Sequence, residues 1–274
     1  GGIQMLGKLI KYEFKATARK MLPLMAAVVA LAALSGVSVM MLDKAEDYGF
    51  LTAVFVATLM AFFVCIFAVC VMAFVVMIQR FYNNLLGSEG YMMFTLPVSV
   101  DALVWAKLIV SFVWFLATAV TCVLAMIVLM TVSANFAFTG EELCYVMHGV
   151  KDILNNVGVG NIIGYILEFA AALFLASVST CLHFYLAMAI GQCFANRRGM
   201  WSVLAFFAIA IVVSVLTGFV LGVINRTGID PIDTGSMLTA AHIVFLGNIV
   251  SSAALSAIFY FPTTMLLKKH LNLA

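Results

Sequence analysis

Residues 50–79, FLTAVFVATLMAFFVCIFAVCVMAFVVMIQ, decide the fold. No charged side chain interrupts the run, and apolar residues follow one another without the polar–apolar alternation of a membrane-crossing strand. In hydrocarbon every backbone N–H and C=O needs an internal partner, and a helix supplies one within the segment itself. Thirty residues at 1.5 Å each reach about 45 Å, beyond a bilayer core of about 30 Å. The rest of the 274-residue chain has the same character, being 65% hydrophobic and 9% charged, with a mean hydropathy of +1.18. A soluble domain has about 45–50% apolar and about 25% charged residues. Too little polar surface remains to face water, and the fold class read from this is an all-α polytopic membrane protein.

Outward from 50–79, five further runs give six expected spans at about 22–42, 50–79, 100–132, 161–190, 201–224 and 237–266. The last carries Gly247 and Asn248 near its middle and reads either as one tilted helix or as a re-entrant piece plus a span. Between the third and fourth runs, Leu143, Val146, Val150, Ile153 and Val157 recur at helical spacing, predicting an external amphipathic helix at about 140–157. Six spans put both termini on one side. That side holds eleven Lys and Arg against Lys44, Lys151 and Arg226 on the other. The positive-inside bias makes the termini cytoplasmic, with a short tail at 268–274. Asp43, Glu46, Asp47, Glu141, Glu142, Asp152, Asp230 and Asp233 fall outside.

Ahead of the first span, residues 1–21 project as an amphipathic helix. Lys8, Lys11, Lys15 and Arg19 share one sector, and Leu6, Ile10, Phe14 and Met21 the opposite one. The pattern suits an interfacial helix with cations towards anionic lipid or an acidic partner surface. Pro23 fits the first turn of the following span. The basic stretch and the lack of a small-residue cleavage site predict a retained helix rather than a removed signal peptide. The six cysteines form no C-x-x-C pair and read as packing residues.

Glu168 is the one carboxylate well inside a span, and an ionisable group at that depth is by default a functional-site hypothesis. His183 stands too far along the same helix to pair with it, and reads as a hydrogen-bonded packing residue. His148 and His242 show no ligand-like neighbours in sequence. Gly160-x-x-x-Gly164 and Gly218-x-x-x-Gly222 are candidate close-approach motifs for a dimer seam. Residues 2–8 match most of a phosphate-binding loop, but Leu9 stands where Ser or Thr would hold Mg²⁺, and no strand precedes it. No H-E-x-x-H, G-x-S-x-G or intramembrane aspartate pair is present. The sequence therefore predicts no catalytic, cofactor or metal site in this chain, and it is read as a non-enzyme.

The longest interruption on the cytoplasmic side runs from Arg80 to Lys107, RFYNNLLGSEGYMMFTLPVSVDALVWAK. Phe81, Tyr82, Tyr91, Met92, Met93 and Phe94 surround Gly87, Gly90 and Pro97. That is the composition of a folded element with an apolar surface. Ser99 is an expected N-cap, with Asp101 in the first turn of the third span. Glycines on either side of Glu89 would allow sharp turns. Tyr91 and Phe94, three apart, could anchor in a partner groove.

Residues 84–99, NLLGSEGYMMFTLPVS, placed between the second and third spans, resemble the cytoplasmic loop of bacterial ABC-2-type transporter permeases. The match is to the compact six-span subunits of Firmicutes, and the K-L-I-K-Y-E-F-K segment at 8–15 resembles theirs too. The resemblance implies a multi-pass permease of the bacterial cytoplasmic membrane whose loop 80–99 carries a coupling helix docked on a separate ABC ATPase. Gly87, Glu89, Gly90, Tyr91, Phe94 and Pro97 would form that contact. ATP and Mg²⁺ would be bound by the partner, not by this chain. A second permease copy or a homologous permease would complete the dimer, with no nucleic acid involved. Closure of the ATPases would push on residues 80–107 and rock spans one and two. The implied cargo is amphipathic: a peptide, a drug or a lipid. Exporters of lipids in this class carry re-entrant helices between spans five and six, where this chain has a short loop. The alternatives are a proton-coupled secondary transporter using Glu168, and a non-transporting membrane scaffold or sensor.

Overall fold

A computed structural model describes residues 2–43, 49–87, 99–134, 140–194, 196–226 and 237–269. Among them are seven α-helices and one π-turn, and no strand. They are α1 (Gly2–Asp43), α2 (Gly49–Phe81), the π-turn Tyr82–Leu86, α3 (Val100–Ser133), α4 (Gly140–Val157), α5 (Val159–Gln192), α6 (Arg198–Arg226) and α7 (Met237–Lys269). Six are long and apolar enough to cross a membrane, over Gly7–Leu42, Gly49–Leu86, Val100–Ser133, Val159–Gln192, Arg198–Phe219 and Ala241–Lys268. The chain is a multi-pass α-helical membrane protein.

One boundary differs from the sequence reading, and one open alternative is resolved. Residues 1–21 were expected as a separate interfacial helix, yet α1 continues through Pro23 for 42 residues. At 1.5 Å per residue that is about 63 Å, twice the thickness of a bilayer core. Proline removes one i→i−4 bond and normally bends a helix; here the helix passes through it. In the last run, Gly247 and Asn248 do not interrupt α7, which is a single helix.

The chain divides into two compact units. One comprises Ile3–Met77 with Ile109–Ile153, and the other Ile78–Leu108 with Leu154–Ala274. In the first, α1 buries Met21, Met25, Val28 and Ala32 along one stripe, against Phe62, Val69, Ala73 and Val76 of α2 and Val110, Trp114 and Ala125 of α3. The spacing of three and four keeps these positions on one face. Polar side chains enter the same stripe: Glu13, Thr17 and Ser35 are buried. Trp114 Nε1 donates to Thr17 Oγ1 at 2.7 Å, and its ring stacks on Phe14 with centroids 4.7 Å apart. Ser35 Oγ donates to the Thr58 carbonyl at 3.1 Å. At Gly36 a Cβ would lie 2.8 Å from Val132 Cβ. Because the pairing advances from Thr17–Trp114 to Gly36–Val132, α1 and α3 run parallel.

In the second unit α5 packs on α6 and α7. His183 stacks on Phe206 of α6, and a Cβ at Gly191 would meet Ser202. As numbering rises on α5 it falls on α6, so these two helices are antiparallel. Towards α7, Glu168 meets His242 and His183 meets Phe259, at 5.4 Å between rings. The numbering rises together, so α5 and α7 are parallel. In the apolar window of α6, 0% is buried inside the protein. Val203, Leu204, Phe207, Ile211, Val215 and Phe219 are exposed there, while Phe206 packs on His183.

Candidate functional site

The second unit concentrates polar and aromatic contacts at two levels, one at each end of the parallel pair α5–α7. The first level holds the two points where the polypeptide leaves α2 and returns to α3. The α2 end is closed by a π-turn, in which the Gly87 N–H donates to the Tyr82 carbonyl at 2.7 Å. Such i→i+5 turns are rare and concentrate at functional positions. Asn84, Leu85 and Leu86 of the turn are buried. Gly87 has φ −91 and ψ −168, an extended conformation open to any residue. The expectation that this glycine serves a sharp turn is therefore corrected. Its role is to leave room, since a Cβ there would lie 2.9 Å from the Asn83 carbonyl oxygen.

Two long side chains fasten this end. Phe81 and Tyr185 of α5 stack at 3.8 Å with planes 9° apart, and both are fully buried. Lys107 of α3, only 4% exposed, donates its Nζ to the Arg80 carbonyl at 3.2 Å. A helix leaves its last carbonyls without intrahelical donors and carries partial negative charge there. A lysine ammonium meets both needs.

The return point is fastened to α7. Ser99 caps α3: its Oγ accepts from the Ala102 N–H at 3.3 Å and its carbonyl from the Leu103 N–H at 3.2 Å. Asp101 accepts from Tyr260 OH at 2.7 Å on Oδ1 and from Lys268 Nζ at 2.9 Å on Oδ2. The lysine pair is 49% and 42% exposed, so it contributes little, about 0–1 kcal/mol. The Tyr260 hydroxyl also donates to an ionised acceptor, so both bonds to Asp101 are charge-assisted. Of the residues expected to form the coupling contact, Gly87 stands at the lip of this level. Glu89, Gly90, Tyr91, Phe94 and Pro97 lie outside the described residues.

At the other level, Glu168 of α5 faces His242 of α7. The imidazole Nδ1 lies 2.8 Å from Oε1 and 2.9 Å from Oε2. Side-chain exposure is 29% for the histidine and 19% for the glutamate. Tyr165 stacks on the imidazole at 4.1 Å and 13°, and the ring edge lies beside Gly164, where a Cβ would sit in ordinary contact, 3.6 Å from His242 Cε1. Phe245 approaches both Tyr165 and Phe169, at 6.4 and 6.2 Å. The sequence around His242 shows no ligand-like neighbour; its partner comes from a helix seventy-four residues away in sequence. No local pattern encodes that pairing. His183 is a packing residue, stacked on Phe206 with its Nε2 3.2 Å from the Phe206 carbonyl.

Other expected positions are simpler. Lys8, Lys11, Lys15 and Arg19 are all exposed on α1. Gly160 and Gly218 have no heavy atom of this chain near a built Cβ, and close helix approaches within the chain fall at Gly36 and Gly191. Cys144 and Cys193 are exposed rather than packed, and Cys181 is buried. Among the described residues no three His, Cys, Asp or Glu side chains gather as metal ligands.

Compared with known proteins, the chain matches no family model, no curated protein and no solved structure.

Proposed function

We propose that this chain is the membrane-embedded permease subunit of an ATP-driven ABC exporter. It works as a dimer, with ATP hydrolysis supplied by a separate cytoplasmic ATPase that docks on residues 80–99. The observation that carries the reading is the loop itself. Its sequence at 84–97 resembles the coupling loop of ABC-2-type permeases, and both points from which it springs are fastened to neighbouring helices. A loop that transmits force needs fixed ends; a passive connector does not. The excess of Lys and Arg at this end of the spans supports a cytoplasmic placement. Glu89 would pair with a basic residue of the ATPase, and Tyr91 and Phe94 would be the aromatic anchors. The cargo is an amphipathic peptide, drug or lipid.

The test is retention of the partner. Affinity-tagged chain, extracted in mild detergent from its own host membrane, should carry an ABC ATPase identifiable by mass spectrometry. The double variant Glu89→Ala with Tyr91→Ala should lose it. Equal retention by the double variant would remove the docking role from this loop.

A further inference from the structure

We propose that Glu168, Tyr165, Phe169 and Phe245 form a binding site for the ammonium group of an amphipathic organic amine, with His242 holding the carboxylate in place. The site stands on the α5–α7 contact alone and needs no ATPase.

The pair at its centre is more open than a tie between two helices requires. Hydrogen bonds and ion pairs strengthen as water is excluded, so a purely structural pair gains from full cover. Glu168 and His242 instead keep 19% and 29% of their side chains exposed. A single ring nitrogen lies 2.8 and 2.9 Å from the two carboxylate oxygens. An ionised carboxylate offers about four acceptor positions, so the imidazole leaves most of them open. Across from the acid stands an imidazole rather than a lysine or arginine, which leaves the place of a fixed cation to a ligand.

Aromatic rings accompany the acid on both helices. Tyr165 and Phe169, four apart, share a face of α5, and His242 and Phe245, three apart, share a face of α7. Phe245 lies 6.4 Å from Tyr165 and 6.2 Å from Phe169, the latter edge to face at 85°. Rings within about 6 Å of a cation attract it through their negative faces. With a carboxylate beside them they select positive charge and reject negative.

Such a site suits an organic ammonium better than a metal ion. A divalent metal asks for several oxygen or nitrogen ligands, and among the described residues no third His, Cys, Asp or Glu joins the pair. An ammonium needs only a few acceptors and takes ring faces in place of water. Position fits an amphipathic ligand as well. Glu168 is nine residues from the start of α5 and His242 five from the start of α7, about 14 and 8 Å along the helices. A head group at that depth leaves its tail against the exposed Ile166 and Phe169. Two sources supply this chemistry: the head group of an aminophospholipid, and a cationic cargo, the second resting on the exporter reading.

The full chain, labelled with ¹⁵N at histidine and held in phosphatidylcholine nanodiscs, is titrated with octylammonium or with octanol, which has the same tail and no charge. The His242 ring resonance, assigned by its loss in His242→Gln, reports occupancy. Octylammonium should move it at a concentration at least about tenfold below octanol, the least expected of a hydrogen bond to an ionised acceptor. Glu168→Gln keeps an oxygen for the imidazole and should remove that advantage. Phe169→Leu and Phe245→Leu should each weaken octylammonium about two- to fivefold, the size of an exposed cation–π contact. They keep the test readable if Glu168→Gln fails to fold. Equal response to the amine and the alcohol would overturn the inference. So would an undiminished advantage in Glu168→Gln, or an unchanged affinity in both leucine variants. Nanodiscs containing phosphatidylethanolamine then separate the sources. A weaker octylammonium response there assigns the site to the lipid head group; an undiminished one assigns it to a cationic cargo. ATPase retention is read separately, so failure here leaves the exporter reading standing, and failure of that reading leaves the ammonium site.

Discussion

Removing either partner of Glu168–His242 should cost more than removing both. Glu168→Ala leaves an imidazole between Tyr165 and an empty space, and His242→Ala leaves a carboxylate in a span without the imidazole it faces. Orphaning one member of a buried pair costs about 3–5 kcal/mol. Here the side chains keep 19% and 29% exposure, so some water or lipid headgroup reaches them, and about 2 kcal/mol for each single variant is the expected size. The double variant strands nothing. It loses the pair itself, whose net worth in a membrane protein averages about 0.6 and reaches about 1.7 kcal/mol. The two single costs together should therefore exceed the cost of the double variant by about 2–3 kcal/mol. A double-mutant cycle measured by reversible unfolding in mixed micelles, or by steric trapping in bicelles, gives the number directly. A coupling below about 0.3 kcal/mol, within the additivity of independent sites, would refute the pairing of these two helices at this register.

Other substitutions test the remaining contacts. Gly36→Val forces its Cβ to within 2.8 Å of Val132 and should destabilise by about 1–3 kcal/mol through overpacking. Gly218→Val, where no atom lies within 4 Å, should leave unfolding within about 0.5 kcal/mol of wild type; a large loss, or a change in oligomer size, would mark Gly218 as an interface between copies. Trp114→Phe keeps the stack on Phe14 and deletes the 2.7 Å bond to Thr17, for an expected loss of about 1 kcal/mol by the same unfolding assay. Gly87→Ala should open the π-turn, because its Cβ would crowd the Asn83 carbonyl. Faster limited proteolysis within 88–98 is the signature, and unchanged cleavage would count against that crowding.

The apolar runs made the helices legible because lipid leaves the backbone a single economical answer over twenty or more residues. All six expected spans find a helix, and the ends agree within a few positions at α3 and α5. Where the sequence misled, the cause was local punctuation. Pro23 looked like a helix start and lies inside α1; Gly247 and Asn248 left two readings open, and α7 is the single helix. Neighbouring turns and packing outvote one weak residue in a long apolar helix. The site was legible only in halves. Glu168 stood out as a carboxylate in an apolar run, and Ser99–Asp101 as a helix start. Their partners His242, Tyr260 and Lys268 did not, since each pairing depends on which helices lie side by side and in what register. Periodicity within one helix says nothing of that. Tyr185 carried no signal at all, being one aromatic among many in an apolar run.

The parallel pairing of α5 with α7 also sets an order of assembly. Glu168 leaves the ribosome seventy-four residues before His242. At synthesis rates of about 5–20 residues per second, that interval is about 4–15 s. During it α5 is inserting while its carboxyl still lacks the partner it has in the finished protein, and an acidic group at span depth is costly to hold in lipid. Asp101 waits longer still, one hundred and fifty-nine residues, for Tyr260. The second unit is therefore completed by its last helix. A chain that stops short of α7 presents an acid in a span without the histidine it meets in the finished protein, and an α3 start without its tie to Tyr260.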